Sequence, residues 1–228
     1  MTPIYAYILL GSILVPALFS FFCIDFIKRW RAFTYSTLAT AFIFLIWDAI
    51  FTHFKIWGFN HFYCMGFYLF KMPIEEWLFF IIIPFCSLFT HFALFYAYPT
   101  IRIPKKITQL ISYALLLITF FVILVNWPKA YTSVNFSFLF IIVLLGLLFK
   151  LELLQRFYIS FFIILIPFFI VNGILTGAIT ETPIVWYDDT QNLSIRLHTI
   201  PVEDIGYAFS MLFLNLMVFD TITKKRLK

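Results

Sequence analysis

Charged residues are scarce in this chain of 228 residues: Asp, Glu, Lys and Arg together make up only 12% of it. Hydrophobic residues make up 63%, whereas an ordinary soluble domain contains roughly 45–50%. So few charges could not coat a water-soluble globule of this size. We therefore expect an integral membrane protein, with lipid covering most of its surface.

Glycine and cysteine are also scarce. The seven glycines are scattered and form no GxGxxG motif, which argues against a flavin or nicotinamide fold of the Rossmann kind. The three cysteines, Cys23, Cys64 and Cys86, lie in or beside apolar stretches, with no CxxC pair and no neighbouring histidine pair. We interpret them as packing residues, and we expect no disulfide, no metal and no cofactor.

Seven apolar stretches are long enough to cross a bilayer core of about 30 Å. They cover approximately residues 4–22, 33–51, 74–98, 107–126, 132–149, 157–176 and 203–219. Twelve Lys and Arg residues fall in the connections on one side of these spans, and four fall on the other. Since basic residues favour the cytoplasmic side, we expect a multi-pass inner-membrane protein with its N-terminus outside and its C-terminus in the cytoplasm. The basic residues form no single patch, so nucleic acid is not an expected partner.

The chain contains an internal repeat, recognisable by features that recur in the same order. In the first copy these are Asp48, Thr52, Trp57 and the segment Pro73, Ile74, Glu75 and Glu76; in the second they are Asn172, Thr176, Trp186 and the segment Pro201, Val202, Glu203 and Asp204. Both copies enter the membrane from the same side, so the repeat is parallel. We predict an all-α bundle of about seven spans, with one three-helix repeat in residues 1–100, a linker span in 101–130 and a second repeat in 131–228.

Ionisable side chains inside membrane spans are costly, and their presence favours a functional site. Asp48, Glu75 and Glu76 fall at a similar depth near the outer side, as do Glu203 and Asp204 in the second copy. One Pro-x-Glu-acid motif is also typical of an ordinary helix start, but its duplication favours a site. We expect Glu75 and Glu203 to face the interior, because Phe79, Ile82, Tyr207 and Ser210 continue their face.

The chemistry available to such acids depends on their surroundings. A helix N-terminus favours the carboxylate, whereas an apolar site and a neighbouring acid favour the protonated form, which can serve as a proton donor. Trp47, Trp57 and Trp186 lie near the acids and could stabilise a cation, although tryptophans are also common at membrane interfaces. The segment 188–192, Asp-Asp-Thr-Gln-Asn, is too isolated to predict a magnesium site.

These residues together resemble the flavin-free lycopene cyclase domain. The resemblance rests on Asp48, Thr52, Trp57 and the segment from Pro73 to Glu76, repeated as Asn172, Thr176, Trp186 and the segment from Pro201 to Asp204. Domains of this family occur as two small membrane subunits, as one fused chain, or joined to phytoene synthase. The chain is similar to the fused form, and the resemblance covers nearly all of it.

The resemblance implies an intramolecular lyase or isomerase that cyclises the ends of a linear carotene without net redox change. Glu75, Glu76, Glu203 and Asp204 are then the implied catalytic positions, and Asp48, Thr52, Trp57, Pro73, Asn172, Thr176, Trp186 and Pro201 the implied substrate-binding positions. The implied partners are a lipophilic carotenoid, membrane lipid and either another copy of the chain or other carotenoid enzymes.

Alternatives to a cyclase that forms β-rings stay open at this point. One is a cyclase of a longer carotenoid that forms ε- or γ-rings, because the ring type depends only on which proton leaves. Another is a small transporter or an assembly subunit whose outer acids bind ions. The second copy also departs from the first, with Asn172 in place of Asp48 and Asp204 in place of Glu76.

Overall fold

The computed structural model describes residues 2–22 and 25–225. The packing role predicted for Cys23 therefore falls outside the described residues, as do the basic residues at 226 and 228. Cys64 and Cys86 are both free thiols. Burial raises the pKa of the Cys64 thiol, in a loop, to about 11, which agrees with its interpretation as a packing residue.

Seven α-helices account for most of the described chain. They are α1 (Ile4–Phe22), α2 (Trp30–His53), α3 (Ile74–Ala97), α4 (Lys105–Val125), α5 (Ala130–Phe149), α6 (Leu151–Leu175) and α7 (Glu203–Lys225). Helices α2 to α7 are each long and apolar enough to cross a membrane, and α1 is apolar but slightly shorter. The predicted all-α membrane bundle is confirmed, although α2, α6 and α7 extend past the apolar stretches that predicted them.

Six very short strands lie in the connections that follow α2 and α6. They are β1 (Trp57–Phe59), β2 (Tyr68–Leu69), β3 (Met72–Pro73), β4 (Val185–Tyr187), β5 (Arg196–Leu197) and β6 (Ile200–Pro201). Strands β2 and β3 form a hairpin in front of α3, and β5 and β6 form the same hairpin in front of α7. We call this end of the bundle the loop end. Each helix that carries an acid pair therefore starts directly from a hairpin.

The two repeats meet through their helices and through one pair of strands. Helix α1 packs on α3 and α5 packs on α7 within the repeats, while α2 packs on α7 and α3 packs on α6 between them. Strand β1 of the first repeat pairs with β4 of the second in antiparallel fashion, with Trp57 opposite Tyr187. The loop end is consequently where backbone from both copies is hydrogen-bonded together.

Candidate active site

A cavity of about 540 Å³ lies inside the bundle and reaches the loop end. Most of its wall comes from α1, α3, α6 and α7, while α2 and α5 contribute one residue each and residues of β1 and β4 line it at the loop end. Most of the wall is apolar. The acidic side chains on it are Asp48, Glu76 and Asp204, which we call the acid cluster. The cavity therefore combines an apolar interior with carboxyl groups from both repeats.

Each motif places its second acid on the cavity and gives it a tyrosine partner. The Tyr5 hydroxyl donates to Glu76 Oε2 at 2.5 Å. In the second repeat, the Tyr131 hydroxyl donates to Asp204 Oδ1, and Tyr187 donates to Asp204 Oδ2 at 3.0 Å. The equivalent acids therefore share one kind of partner, and Asp204 has a second.

The first acid of each motif holds the preceding loop. Glu75 Oε1 accepts the backbone N–H of Met65 at 2.6 Å, and Glu203 Oε1 accepts that of Leu193 at 2.7 Å. The Thr132 hydroxyl also donates to Glu203 Oε1 at 2.7 Å. Both glutamates are fully buried, but neither lines the cavity.

The expectation that Glu75 and Glu203 are the acids that face the interior is wrong, because their side chains bind loop N–H groups and do not line the cavity. Adjacent helical residues point about 100° apart, so only one acid of each pair can face it. The loop before each hairpin places a backbone N–H, that of Met65 or Leu193, beside the first acid, which turns toward it. Glu76 and Asp204 consequently face the cavity.

Asp48 is tied to the loop end by residues of its own repeat. The Trp57 indole donates to Asp48 Oδ1 at 2.5 Å, and Thr52 donates weakly to the same oxygen at 3.4 Å. The other oxygen, Oδ2, has no hydrogen-bond donor among the described residues, and the carboxyl group lies within electrostatic reach of that of Glu76. Asp48 and Glu76 thus form a pair of adjacent carboxyl groups.

The matching residues of the second repeat are not joined in this way. The Asn172 amide donates to the Phe168 carbonyl oxygen at 3.2 Å, and the Thr176 hydroxyl bonds to that of Thr199 at 2.7 Å. Both residues still line the cavity. The difference follows from the alignment of the two helices in the repeat. Each helix is followed by a residue of positive φ, which is Lys55 after α2 and Gly177 after α6.

When α2 and α6 are aligned so that Lys55 corresponds to Gly177, the residue that corresponds to Asp48 is Ile170 and not Asn172. The predicted equivalence of Trp57 and Trp186 fails for a related reason. In the β1–β4 ladder Trp186 lies opposite Gly58, one residue from the partner of Trp57. Since neighbouring strand residues point to opposite faces, Trp186 points away from the cavity and is 37% exposed. A side chain at Gly58 would collide with its indole ring.

The two predicted prolines lie just before the helices that carry the acid pairs. Pro73 and Pro201 are buried, lie in β3 and β6 and come shortly before the acid pairs. Pro73 has φ −66° and directly precedes the first residue of α3. Neither proline lines the cavity. They fix the backbone from which Glu76 and Asp204 project.

The tyrosine partners of the acids were not predicted from the sequence. Tyr5 and Tyr131 each lie near the start of the first helix of their repeat, 126 residues apart, so extending the repeat to those helices identifies them. Tyr187 had no such signal, because only the β1–β4 pairing brings it to Asp204. The pKa of Tyr187 is raised well above its usual value, first by burial and then by the charge of Asp204 and the hydrogen bond to it. Tyr187 therefore stays a hydrogen-bond donor.

Aromatic rings surround the acid cluster. Trp57, Phe79 and Tyr207 line the cavity, and the Tyr207 hydroxyl is within electrostatic reach of all three acids. Trp47 packs behind Tyr207, with ring centroids 5.0 Å apart. The negative faces of such rings attract a nearby cation, so the site can accommodate a positive charge on an apolar ligand.

Metal-binding geometry is absent from the part of the chain that the structure describes, where no group of three or more potential ligands occurs. Asp189 instead forms an ion pair with Arg196 at 2.6 Å. Partial burial acts to raise the pKa of Asp189, but the hydrogen bond from Asn192 and the contact with Arg196 outweigh it and lower the pKa. Asp188 accepts the backbone N–H and the hydroxyl of Thr190 in a local turn.

Comparison with known proteins gives one family. The family model described as lycopene cyclase matches the chain in two regions, residues 2–94 and 128–222. Each region contains three helices and one acid-pair motif, and α4 lies between them. No curated protein and no solved structure matches the chain.

Proposed function

Because this chain belongs to the lycopene cyclase family, we propose that it is a carotenoid cyclase that forms β-rings by acid-initiated, redox-neutral cyclisation. The observation that carries the proposal is the acid cluster of Asp48, Glu76 and Asp204 at one end of an apolar cavity. A linear carotene is apolar and needs only a proton to begin cyclisation, which matches this combination of an apolar wall and buried carboxyl groups.

We assign the first step to Glu76. Two adjacent carboxyl groups in a water-poor site repel each other when both are charged, and a proton shared between Asp48 and Glu76 removes that repulsion. Glu76 gives this proton to the less substituted carbon of the terminal double bond. A cation then forms on the carbon that bears the two methyl groups.

Ring closure follows from the cation. The next double bond along the chain supplies its electron pair, a carbon–carbon bond forms, and the positive charge moves to a ring carbon. Trp57, Phe79 and Tyr207 face the charge with their rings. An isolated cation in an apolar cavity is costly, and these rings together with a carboxylate lower that cost.

Loss of a proton completes the reaction, and we assign the acceptor role to Asp204. Its carboxylate accepts hydrogen bonds from Tyr131 and Tyr187, so it is oriented before the substrate arrives. One proton is gained and one is lost, so no oxidant or reductant is needed. The position of the lost proton decides between β-, ε- and γ-rings.

The membrane arrangement is part of the proposal. We place the loop end on the outer side of the inner membrane and the C-terminus in the cytoplasm, following the distribution of basic residues. The substrate then reaches the cavity from the bilayer. Association with a second copy or with other carotenoid enzymes stays a prediction.

Expression of this chain alone in a bacterium that accumulates lycopene tests the proposal. We expect cyclic carotenes with β-rings, identified by absorption spectrum and by chromatography against standards. Rings of another type would contradict the assignment of ring type alone. Unchanged lycopene, with the protein present in the membrane fraction, would contradict the cyclase function.

A further inference from the structure

The cavity is elongated along the bundle. On α3 its lining extends from Glu76 to Thr90, and at 1.5 Å per residue the fourteen steps between them cover about 21 Å. On α1 the lining extends from Tyr5 to Pro16, and on α6 from Ile164 to Thr176, which are shorter distances. On each of these helices the lining therefore extends over no more than about 21 Å.

A linear carotene of the class proposed above is longer than this cavity. An extended main chain covers about 1.2 Å per bond, so a carotene with roughly 30 main-chain carbons spans about 36 Å by the same bond geometry. With one end at the acid cluster, more than a third of the molecule cannot fit inside. The remainder has to leave through an opening.

The side of the cavity between α1 and α6 provides that opening. Tyr7 on α1 and Ile170 on α6 both line the cavity and are 60% and 61% exposed. Gly11 and Pro167 also line it and are exposed. A Cβ at Gly11 would meet no other atom within 4 Å. These residues lie on membrane-spanning helices, so the opening faces lipid.

By the repeat, α1 and α6 correspond to α5 and α2, and the side of the bundle between α5 and α2 is filled by aromatic rings. Tyr207 lies 5.1 Å from Phe44 and 5.0 Å from Trp47, measured between ring centroids, and Phe138 lies 5.2 Å from Phe44. The duplication therefore provides an opening beside α6 and a packed interface beside α2. The two ends of one substrate cannot occupy equivalent positions at the same time.

We infer that the cavity admits one end of a linear carotene through the lipid-facing opening between α1 and α6, while the other end stays in the bilayer. This inference rests on the proposed cyclase function. Recognition is then confined to the terminal segment of the substrate, and the second ring of a bicyclic product requires a second binding event.

Two substrates with one end in common test the inference. Membranes that contain the protein are supplied with lycopene or with a lycopene chain truncated at one end, and the products are measured over time. We expect one ring on the truncated chain, formed at a rate within about threefold of the first cyclisation of lycopene, since the same end group is recognised. Cyclised lycopene beside an unchanged truncated chain would overturn the inference and leave the proposed function intact. If neither is cyclised, both fail.

Substitutions at the opening provide an independent test. Gly11→Phe and Ile170→Trp narrow the opening from either side, and each should slow ring formation roughly tenfold by hindering entry. The matched controls are Leu10→Phe and Ile166→Trp, because Leu10 and Ile166 are 63% and 64% exposed on the same helices but do not line the cavity. Normal rates in both opening variants, at equal protein levels in the membrane, would overturn the inference.

Discussion

Among the helix pairs that join the repeats, α2 with α7 and α3 with α6 occupy equivalent places in the duplicated fold. The first pair is closed by Phe44, Trp47 and Tyr207. The second leaves the cavity that reaches the acid cluster. The backbone plan is thus shared between the repeats, whereas the side chains at the interfaces differ. Duplication supplies the framework, and the departures from it provide the space for a substrate.

The acid pairs also combine a part that is shared by the two repeats with a part that differs between them. Glu75 and Glu203 have identical roles, each accepting a loop N–H ten residues before it. Glu76 and Asp204 each accept a hydrogen bond from a tyrosine at the start of their repeat, but Glu76 lies near Asp48 whereas Asp204 has Tyr187 as a second donor. The anchoring half of the motif is therefore conserved between the copies, while the half that faces the cavity has diverged.

A large effect that tests this division is expected at the second motif. Asp204→Asn should lower ring formation about 100-fold or more, because the amide cannot accept the proton that the ring loses. Glu203→Gln should retain most activity, since its side-chain oxygen still accepts the Leu193 N–H. The measurement is cyclic carotene formed per amount of membrane-inserted protein. Equal losses in the two variants would contradict separate roles.

Removal of a tyrosine hydroxyl should affect activity more at Glu76 than at Asp204. Tyr5→Phe removes the hydroxyl donor that Glu76 has in the structure, and we expect roughly a tenfold loss of activity. Tyr131→Phe should cost less, about threefold, because Tyr187 still donates to Asp204. Initial cyclisation rates in isolated membranes measure both. A greater loss in Tyr131→Phe would reverse the proposed order.

The anchoring glutamates should affect stability more than chemistry. Glu75→Ala leaves the Met65 N–H without its acceptor, which should lower the free energy of unfolding by about 1–3 kcal/mol. Glu203→Ala should cost more, because Thr132 also loses its acceptor. Thermal unfolding in detergent measures the difference. Melting temperatures equal to that of the unchanged protein would show that these contacts do not hold the loops.

The smallest effect is expected at Asp189, which lies outside the acid cluster. Its pKa is lowered in the folded protein, so its contribution to stability is present above the unfolded pKa and is lost as the pH falls through the folded value. The ion pair with Arg196 is largely exposed, and such pairs contribute about 0–1 kcal/mol. Asp189→Asn should therefore lower the melting temperature slightly at neutral pH, not in strong acid, and leave ring formation unchanged. A large loss of activity would place chemistry in this loop.

Much of the fold could be predicted from hydrophobic stretches alone, because a bilayer requires spans of a narrow length range. The repeat also predicted that the acids of both copies lie at one end of the bundle. The sequence could not decide which acid of each pair faces the cavity. That orientation depends on where the loops before the hairpins place the N–H groups of Met65 and Leu193, which is a tertiary feature.

The predicted correspondence of Trp57 with Trp186 shows a second limit. Short motifs were matched by residue type, but a shift of one residue in a strand reverses the face on which a side chain lies. Tyr187 was overlooked for the same reason, because its position depends on the β1–β4 pairing between the repeats. The register of strands that pair across repeats cannot be read from either repeat alone.

The comparison of Glu76→Gln with Glu75→Gln tests the central claim most directly. The two residues are adjacent, both are buried and the substitution is the same, yet only Glu76 lines the cavity. In a lycopene-accumulating bacterium with equal amounts of both variants in the membrane, we expect Glu75→Gln to form cyclic carotene. Glu76→Gln should leave lycopene unchanged. Cyclic carotene from Glu76→Gln at the level of the unchanged protein would contradict its assignment as the proton donor.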